Sequence, residues 1–321
     1  MDDISVAVAE ISKKLPELEY RRSELLSGHT SLRIGGPVTA MFFPKSAHEL
    51  ETLRSLLRDR GVAPIVMGNG TNILADGRGF DAIAIKTTGL SGLETTPDGS
   101  IRAGAGVTLR RLAAFARDNG LRGLEFAHGI PGTLGGAVVM NAGAYGGQMS
   151  DAVAAVRYLP RFDGATTAAE AEEAGAAECG FGYRRSRFSD GGEVVVSADI
   201  RLERADAGEI TARMEELAAR RRASQPLDLP SAGSAFKRPR DGYAAELIER
   251  AGLKGHSVGG ARVSEKHAGF IVNAADATFD DDLRLIEYVR VRVLTLFGVA
   301  LEPEIKILRR DLNGGAQSWK F

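Results

Sequence analysis

The segment Gly129-Ile130-Pro131-Gly132-Thr133-Leu134-Gly135-Gly136-Ala137, continuing through Asn141-Ala142-Gly143-Ala144-Tyr145-Gly146-Gly147, holds seven glycines among mostly apolar or small residues. A flexible polar linker would not carry Ile130, Leu134, Val138, Val139 and Met140. Glycine lets a backbone approach a ligand closely and tolerates positive φ. Successive free N–H groups in such a segment make a concavity for an anion. The run reads as a buried, ordered loop around a phosphate or pyrophosphate, set against a plain structural turn. A second glycine-rich loop, Gly68-Asn69-Gly70-Thr71-Asn72, follows the apolar run Ile65-Val66-Met67. Gly68-x-Gly70 is no dinucleotide fingerprint, because Ile73 stands where a third glycine belongs and no helical pattern follows. No Walker-type loop is present either. Two such loops could hold the two phosphates of one dinucleotide from different sides.

Three further segments carry reactive groups. Phe181-Gly182-Tyr183-Arg184-Arg185-Ser186-Arg187-Phe188 sets three arginines between aromatic residues. A guanidinium can stabilise a carboxylate or enolate through paired, charge-assisted hydrogen bonds, although an exposed basic strand would look the same. Ser231-Ala232-Gly233-Ser234-Ala235-Phe236-Lys237-Arg238 joins two hydroxyls to two cations that suit a phosphate or carboxylate. Serine is a poor acid, so Ser234 donates a proton only in a site built for it. Glu302-Pro303-Glu304-Ile305-Lys306 puts two carboxylates at the mouth of a strand, where proline is tolerated. Ser264-Glu265-Lys266-His267 pairs serine with histidine, but no Gly-x-Ser-x-Gly elbow exists, so His267 reads as a structural or ligand-contacting residue.

The chain of 321 residues, 44% hydrophobic and 26% charged, suits a soluble protein of two domains. A formal net charge of −1 argues against a general nucleic-acid binder. No apolar run approaches the roughly 20 residues of a membrane helix. The acidic start Met1-Asp2-Asp3-Ile4 is unlike a signal peptide. The single cysteine, Cys179, excludes an intramolecular disulfide and a cysteine-cluster metal site, and it reads as a buried bystander. A cytoplasmic protein with no metal site, no nucleic-acid partner and no membrane insertion is expected.

The elements that must position these groups follow from periodicity and punctuation. The first 25 or so residues read as an amphipathic helix. Ser46-Ala47-His48-Glu49 is a capping box launching a helix that Gly61 stops. Strands are expected at Ile65 to Met67 and Asp81 to Lys86. Helices are expected from Thr108 to Gly120, from Ile210 to Arg222, from Gly242 to Ala251 and from Asp280 to Phe297. Between Val153 and Arg201 strands alternate with turns, and the Ala/Glu-rich stretch Ala168 to Ala177 reads as a loop or short helix. A last strand is expected from Glu304 to Leu308. Composition shifts near Glu203 to Gly208.

In wording and order these motifs resemble the UDP-N-acetylenolpyruvoylglucosamine reductase family, flavoenzymes that complete UDP-N-acetylmuramate in peptidoglycan synthesis. The resemblance runs from Thr30-Ser31-Leu32-Arg33-Ile34-Gly35-Gly36 to Glu302-Pro303-Glu304-Ile305, nearly the whole chain. It includes Gly129-Ile130-Pro131-Gly132, Asn141-Ala142-Gly143-Ala144-Tyr145, Phe181-Gly182-Tyr183-Arg184, Ser231-Ala232-Gly233-Ser234 and Ser264-Glu265-Lys266-His267-Ala268-Gly269-Phe270. The short spacing between the tyrosine-arginine and serine motifs looks like the family's compact subclass. The fold implied is α+β: an FAD-binding domain of the p-cresol-methylhydroxylase type, made of two subdomains, plus a C-terminal α+β substrate domain. In this sequence the implied division is an N-terminal helical segment (1–28), the FAD-binding domain (29–203, subdomains about 29–88 and 89–203) and the substrate domain (204–321).

The resemblance also implies the chemistry. NADPH reduces FAD, and reduced FAD delivers a hydride to the enolpyruvyl methylene carbon of UDP-N-acetylglucosamine enolpyruvate. Arg184 and Glu304 would then stabilise the enolate, and Ser234 would protonate the carbon beside the carboxylate. A carboxyl group helps there only while it carries its proton, so Glu304 is expected to hold one. The FAD site implied is Arg33, Gly68, Asn69, Gly70, Thr71, Asn72, Gly132, Thr133, Gly135, Gly136 and His267. The first loop holds no histidine, so FAD is expected to be non-covalent. NADPH and substrate are expected to use one site in turn, with Lys237, Arg238 and Tyr145 as its binding residues. A monomer is expected. Three positions depart from the family's pattern: Arg185 where an acidic residue is expected, His29 where asparagine is common, and Asn69 where glycine is usual. The competing readings are a flavin oxidase or dehydrogenase for another small molecule, and a non-catalytic flavin- or nucleotide-binding protein. Joint retention of Arg184, Ser234 and Glu304 favours the reductase.

Overall fold

The computed structural model describes residues 3–161, 170–190, 192–311 and 314–317. Seven α-helices lie among them: α1 (Asp3–Lys14), α2 (Ala47–Asp59), α3 (Leu109–Asp118), α4 (Leu134–Val139), α5 (Ala207–Ser224), α6 (Ala244–Arg250) and α7 (Phe279–Phe297). Local chemistry sets their ends. Ser46 Oγ accepts the Glu49 N–H at the start of α2, and Thr108 Oγ1 accepts the Arg111 N–H at the start of α3. The carboxylate of Glu49 reaches the Lys45 N–H rather than that of Ser46, so the expected capping box is shifted by one donor. Thr278 and Asp281 form a reciprocal capping box on α7. Gly298 closes α7 in the left-handed conformation.

The chain divides into two compact units built from interleaved segments. One comprises Met1–Glu24, Thr39–Asn69 and Asp81–Arg220; the other comprises Leu25–Val38, Gly70–Phe80 and Arg221–Phe321. These units interleave along the chain, whereas the sequence reading draws linear boundaries at 28/29 and 203/204. Two short segments of the N-terminal quarter pack with the C-terminal unit, and most of α5 packs with the first.

The first unit holds two sheets. Tyr20–Leu25, Pro37–Phe42, Phe80–Lys86 and Ile65–Met67 are adjacent in that order, the last two strands parallel. Glu172–Gly175, Val153–Leu159, Val194–Ile200, Ile101–Gly104 and Leu93–Thr95 form a five-stranded antiparallel sheet. One apolar core, with Phe42, Leu53, Ile83, Ile101, Leu112 and Phe188 fully buried, serves both sheets. Arg54 of α2 is buried and donates to the Pro160 and Gly192 carbonyls. In the second unit, Ser231–Ser234, Phe270–Asn273, Ala261–Val263 and Ser257–Val258 form an antiparallel sheet against α7. A three-stranded sheet there joins Ile73–Ala75 to Lys306–Arg310 in parallel, and Ala316–Gln317 folds back on the latter. The C-terminal tail is thus in part a sheet edge; its residues 312–313 and 318–321 lie outside the described residues.

Several expected elements differ from those observed. The N-terminal helix ends at Lys14 because Pro16 disfavours helical backbone at Leu15, and Tyr20–Leu25 is a strand. Within the Ala/Glu-rich stretch, Glu172–Gly175 is a strand and Ala176–Cys179 a single 3-10 turn, while Ala168 and its neighbour lie outside the described residues. The glycine-rich run contains a helix, α4, rather than loop throughout. Cys179 is fully buried, and burial pushes its thiol up to about 11, as befits an inert packing residue.

Asp282, in the first turns of α7, is fully buried, and neither carboxyl oxygen has a hydrogen-bond partner among the described residues. Burial, and then the charge of Asp281, raise its carboxyl to about 7. The unfolded chain titrates near 4. The folded pKa is therefore the higher one, and the contribution to stability is full below pH ~4 and lost as pH rises through about 7. A difference of that size between the folded and unfolded chain corresponds to about 4 kcal/mol. Asp282→Asn is expected to melt as the parent does at pH 4 and well above it at pH 8. Identical pH profiles of the two melting temperatures would refute this account.

Candidate active site

The parallel strand Ile65–Met67 delivers the chain to Gly68 and Asn69. The Asn69 amide donates to the Pro131 carbonyl at 3.2 Å, tying the first glycine loop to the second within the first unit. A Cβ built on Gly68 would stand 2.2 Å from Thr133 Oγ1. That hydroxyl is buried and lacks a hydrogen-bond partner among the described residues. Burying a hydroxyl unpaired costs about 1–3 kcal/mol, so such an atom signals a missing ligand oxygen or water. Gly132 is half-buried and Gly136 exposed beside it, and a Cβ on Gly136 would meet only Thr133 Oγ1, at 3.8 Å. A hydroxyl donor held by backbone, with glycines on both sides, fits a phosphate group.

The expected row of free N–H groups is only partly there. Leu134 and Gly135 donate their N–H groups to the carbonyls of Val107 and Ala105, at 2.8 Å each. A Cβ on Gly135 would also strike Ala105 at 2.9 Å. Gly135 is therefore small so that two segments can pack, and the hydroxyl of Thr133 is left without a hydrogen-bond partner among the described residues. Gly68→Ala would drive a methyl into a stiff, β-branched neighbour. It is expected to destabilise the protein by about 1–3 kcal/mol and to lower retention of the FAD that the sequence resemblance implies. Unchanged flavin content and melting temperature would contradict this.

The rest of the first loop belongs to the second unit. Gly70 has φ +62, and a Cβ there would stand 2.2 Å from the His29 carbonyl oxygen. Its own carbonyl accepts the Ser31 N–H at 3.1 Å. Thr71 is half-buried beside it. The Asn72 amide donates to the Glu304 carbonyl at 3.1 Å, and the Asn72 carbonyl accepts the Lys306 N–H at 2.9 Å. Arg33 is exposed, with a left-handed backbone at φ 59.

Ser234 and Glu304 lie on neighbouring stretches of this unit. Phe236 and Pro303 form an antiparallel bridge, and the Glu304 N–H donates to the Ala235 carbonyl at 2.8 Å. The strand carrying Ser234 is bulged. Ser231 pairs with Val272 and Ser234 with Phe270, so one residue is extra, and Gly233 takes it up at φ +80. Bulges of this kind re-aim the side chain that follows. Lys237 reaches Glu302 at 3.0 Å, and the Arg238 guanidinium lies 4.3 Å from the centre of the Tyr243 ring. Both expected phosphate-binding cations thus have protein partners. Lys306 is half-buried, and burial, then the charge of Lys237, lower its pKa. His267 accepts the Gly269 N–H on Nδ1 at 3.1 Å and meets Phe270 edge-on. Burial lowers its pKa, and a neutral ring matches that acceptor role.

The arginine cluster separates into three roles. Arg187 pairs with Glu193 and lies over the Tyr158 ring, so it is structural. Arg185 lies along Gly182, whose Cβ would meet its Nε at 2.7 Å. Arg184, half-buried with φ 55, donates to the Gly143 carbonyl at 3.1 Å. Gly143 opens a hairpin whose two-residue turn, Tyr145-Gly146, has positive φ at both positions. Among the described residues six non-glycine residues have positive φ, and Arg33, Tyr145 and Arg184 are among them. Such conformations cost about 1–3 kcal/mol each and concentrate at functional sites, so strain marks three residues that the sequence motifs also single out.

A family model described as UDP-N-acetylenolpyruvoylglucosamine reductase, C-terminal domain, matches residues 225–308, and an FAD binding domain model matches residues 38–167. The chain is 45% identical over 303 residues to the UDP-N-acetylenolpyruvoylglucosamine reductase of Caldanaerobacter subterraneus subsp. tengcongensis, covering 94% of this chain and 98% of that one. The chain belongs to the UDP-N-acetylenolpyruvoylglucosamine reductase family. The reductase of that name from Syntrophomonas wolfei is 43% identical, over 94% of this chain and 99% of its own. Among solved structures, the UDP-N-acetylenolpyruvylglucosamine reductase (MurB) of Thermus caldophilus matches with a TM-score of 0.75 and 33% identity, covering 90% of this chain and 98% of that one. Family membership fixes the fold as an FAD-binding domain plus the reductase C-terminal domain. Asn141, quoted in the sequence motif without a role, is a polar residue that the motif reading passed over; the structure puts it in the left-handed position after α4, a conformation that asparagine accepts.

Proposed function

We propose that the protein catalyses the NADPH-dependent, FAD-mediated reduction of UDP-N-acetylglucosamine enolpyruvate to UDP-N-acetylmuramate, a step in peptidoglycan precursor synthesis. The observation that carries this reading is likeness along nearly the entire chain to reductases of that name, and the sequence resemblance gives Arg184, Ser234 and Glu304 the catalytic roles. The buried hydroxyl of Thr133 between Gly68 and Gly136 supports FAD as the resident group. Thr133, Gly68, Asn69, Gly132, Gly135 and Gly136 would hold it, together with Arg33, Gly70, Thr71, Asn72 and His267.

FAD held there would supply the two-electron chemistry that relays a hydride from NADPH to the methylene carbon of the enolpyruvyl group. The side chains supply the remainder. As hydride adds, the double-bond electrons move to the carbon bearing the carboxylate and spread into that carboxylate. Arg184 neutralises the charge that develops there, and the protonated carboxyl of Glu304 donates a hydrogen bond to it. Ser234 Oγ gives its proton to the same carbon and regains one from solvent. The bulge at Gly233 fixes where that hydroxyl points. Tyr145, Lys237 and Arg238 bind the nucleotide portion, with NADPH and substrate using one site in turn. No helix among the described residues is long and apolar enough to cross a membrane. On the family resemblance, we assign the protein to the cytoplasm, as a monomer with non-covalent FAD.

A turnover in D2O tests the proton step. The product is expected to carry solvent deuterium on the carbon bearing the carboxylate. A product without deuterium at that carbon would overturn the assignment of a solvent-exchanging acid such as Ser234.

A further inference from the structure

Asn141 is buried, and both of its amide hydrogens and its carbonyl oxygen are engaged. Its amide nitrogen donates to the Gly182 carbonyl at 3.1 Å and to Gln148 Oε1 at 3.2 Å, and its oxygen accepts the Ser150 N–H at 2.9 Å. Gln148 is itself oriented by Asp151, which accepts both its backbone N–H and its side-chain amide. The partners of Asn141 therefore lie on two separate pieces of chain in the first unit. One is the hairpin Gly143–Gln148, whose turn holds Tyr145 at φ 53. The other is the tight turn closed by reciprocal hydrogen bonds between Gly182 and Arg185, which holds Arg184 at φ 55. The Arg184 side chain closes the circuit by donating to Gly143.

We propose that Asn141 is a positioning residue that locks the Arg184 turn to the Tyr145 hairpin, so that the guanidinium is presented from a rigid block. This rests on the role given to Arg184 above. A strained turn holds its conformation only when surrounding contacts over-determine it. A fully satisfied buried amide does this because any displacement leaves polar groups unpaired in a low-dielectric interior. Displacing a reacting group by about 1 Å can cost a hundred-fold in rate.

A second duty of Asn141 must be separated from this one. At φ 41 it occupies the left-handed position that ends α4, with its N–H on the Val138 carbonyl and that of Ala142 on the Ala137 carbonyl. This is a Schellman ending, for which glycine is the better residue. Asn141→Gly therefore keeps the helix end and removes only the amide.

The test uses the FAD-loaded protein and three measurements. Asn141→Gly is expected to slow oxidation of the reduced enzyme by UDP-N-acetylglucosamine enolpyruvate about a hundred-fold, with flavin reduction at saturating NADPH little changed and the melting temperature lowered by only a few degrees. Hydrogen exchange of the backbone around 181–186 should rise in the same variant. In an Arg184→Ala background, adding Asn141→Gly should have almost no further effect on rate, because coupled residues are not additive. Independent, multiplying losses would overturn the proposal, as would unchanged exchange around 181–186. If Arg184→Ala alone left substrate reduction intact, the role given to Arg184 would fall, while exchange would still report on the tether.

Discussion

Replacing Ser234 by alanine is expected to leave NADPH-driven reduction of the bound flavin intact and to slow reduction of the enolpyruvyl substrate by about a hundred- to ten-thousand-fold, the usual worth of a positioned general acid. The expectation rests on position as much as on residue type. Ser234 closes a bulged strand, with Gly233 in the left-handed conformation immediately before it, and the following residue binds the backbone of Glu304. A serine placed only for packing would tolerate loss of one oxygen at little cost to rate. Stopped-flow measurement of each half-reaction separates the two. Equal loss in both halves, or loss in neither, would count against a proton donor. Ser234→Cys keeps a donor of lower pKa and should recover part of the rate.

The second large effect is expected at Arg184. Arg184→Ala should lower substrate reduction by about a hundred- to a thousand-fold, the scale seen when one donor to a developing oxyanion is removed. Alanine also sits poorly at φ 55. Arg184→Gly answers that objection, since glycine accepts the backbone and still lacks the cation. If charge stabilisation is the role, the glycine and alanine variants fall equally. Arg184→Lys keeps the charge but loses the planar fork and the reach to the Gly143 carbonyl, so it should recover only part of the rate. Recovery of full activity in Arg184→Gly would show that the arginine serves only the turn.

Motif wording in the sequence leads to the family, and the comparisons agree. Periodicity and capping residues locate α2, α3 and α7 to within a few residues, because each begins at a side chain that accepts an N–H of its first turn. Long-range packing is not legible. Leu25–Val38 and Gly70–Phe80 join the C-terminal unit through partners such as Ser231, Asn273 and Lys306, two hundred or more residues away, which no local pattern encodes. The glycine run reads as ligand-binding throughout. Yet Gly135 is small because Ala105 packs on it, and a loop glycine and a packing glycine look the same in a sequence. Likewise Lys237 and Arg238 stand out in the sequence as cations, but only the structure shows Glu302 and Tyr243 against them.

The measurement that tests the central claim most directly is NADPH consumption by the purified FAD-loaded protein, with and without UDP-N-acetylglucosamine enolpyruvate. Consumption that depends on that substrate and matches it one for one, with UDP-N-acetylmuramate as product, is the expected result. Consumption indifferent to the substrate, from protein that nevertheless holds flavin, would keep the fold and contradict the assigned reaction.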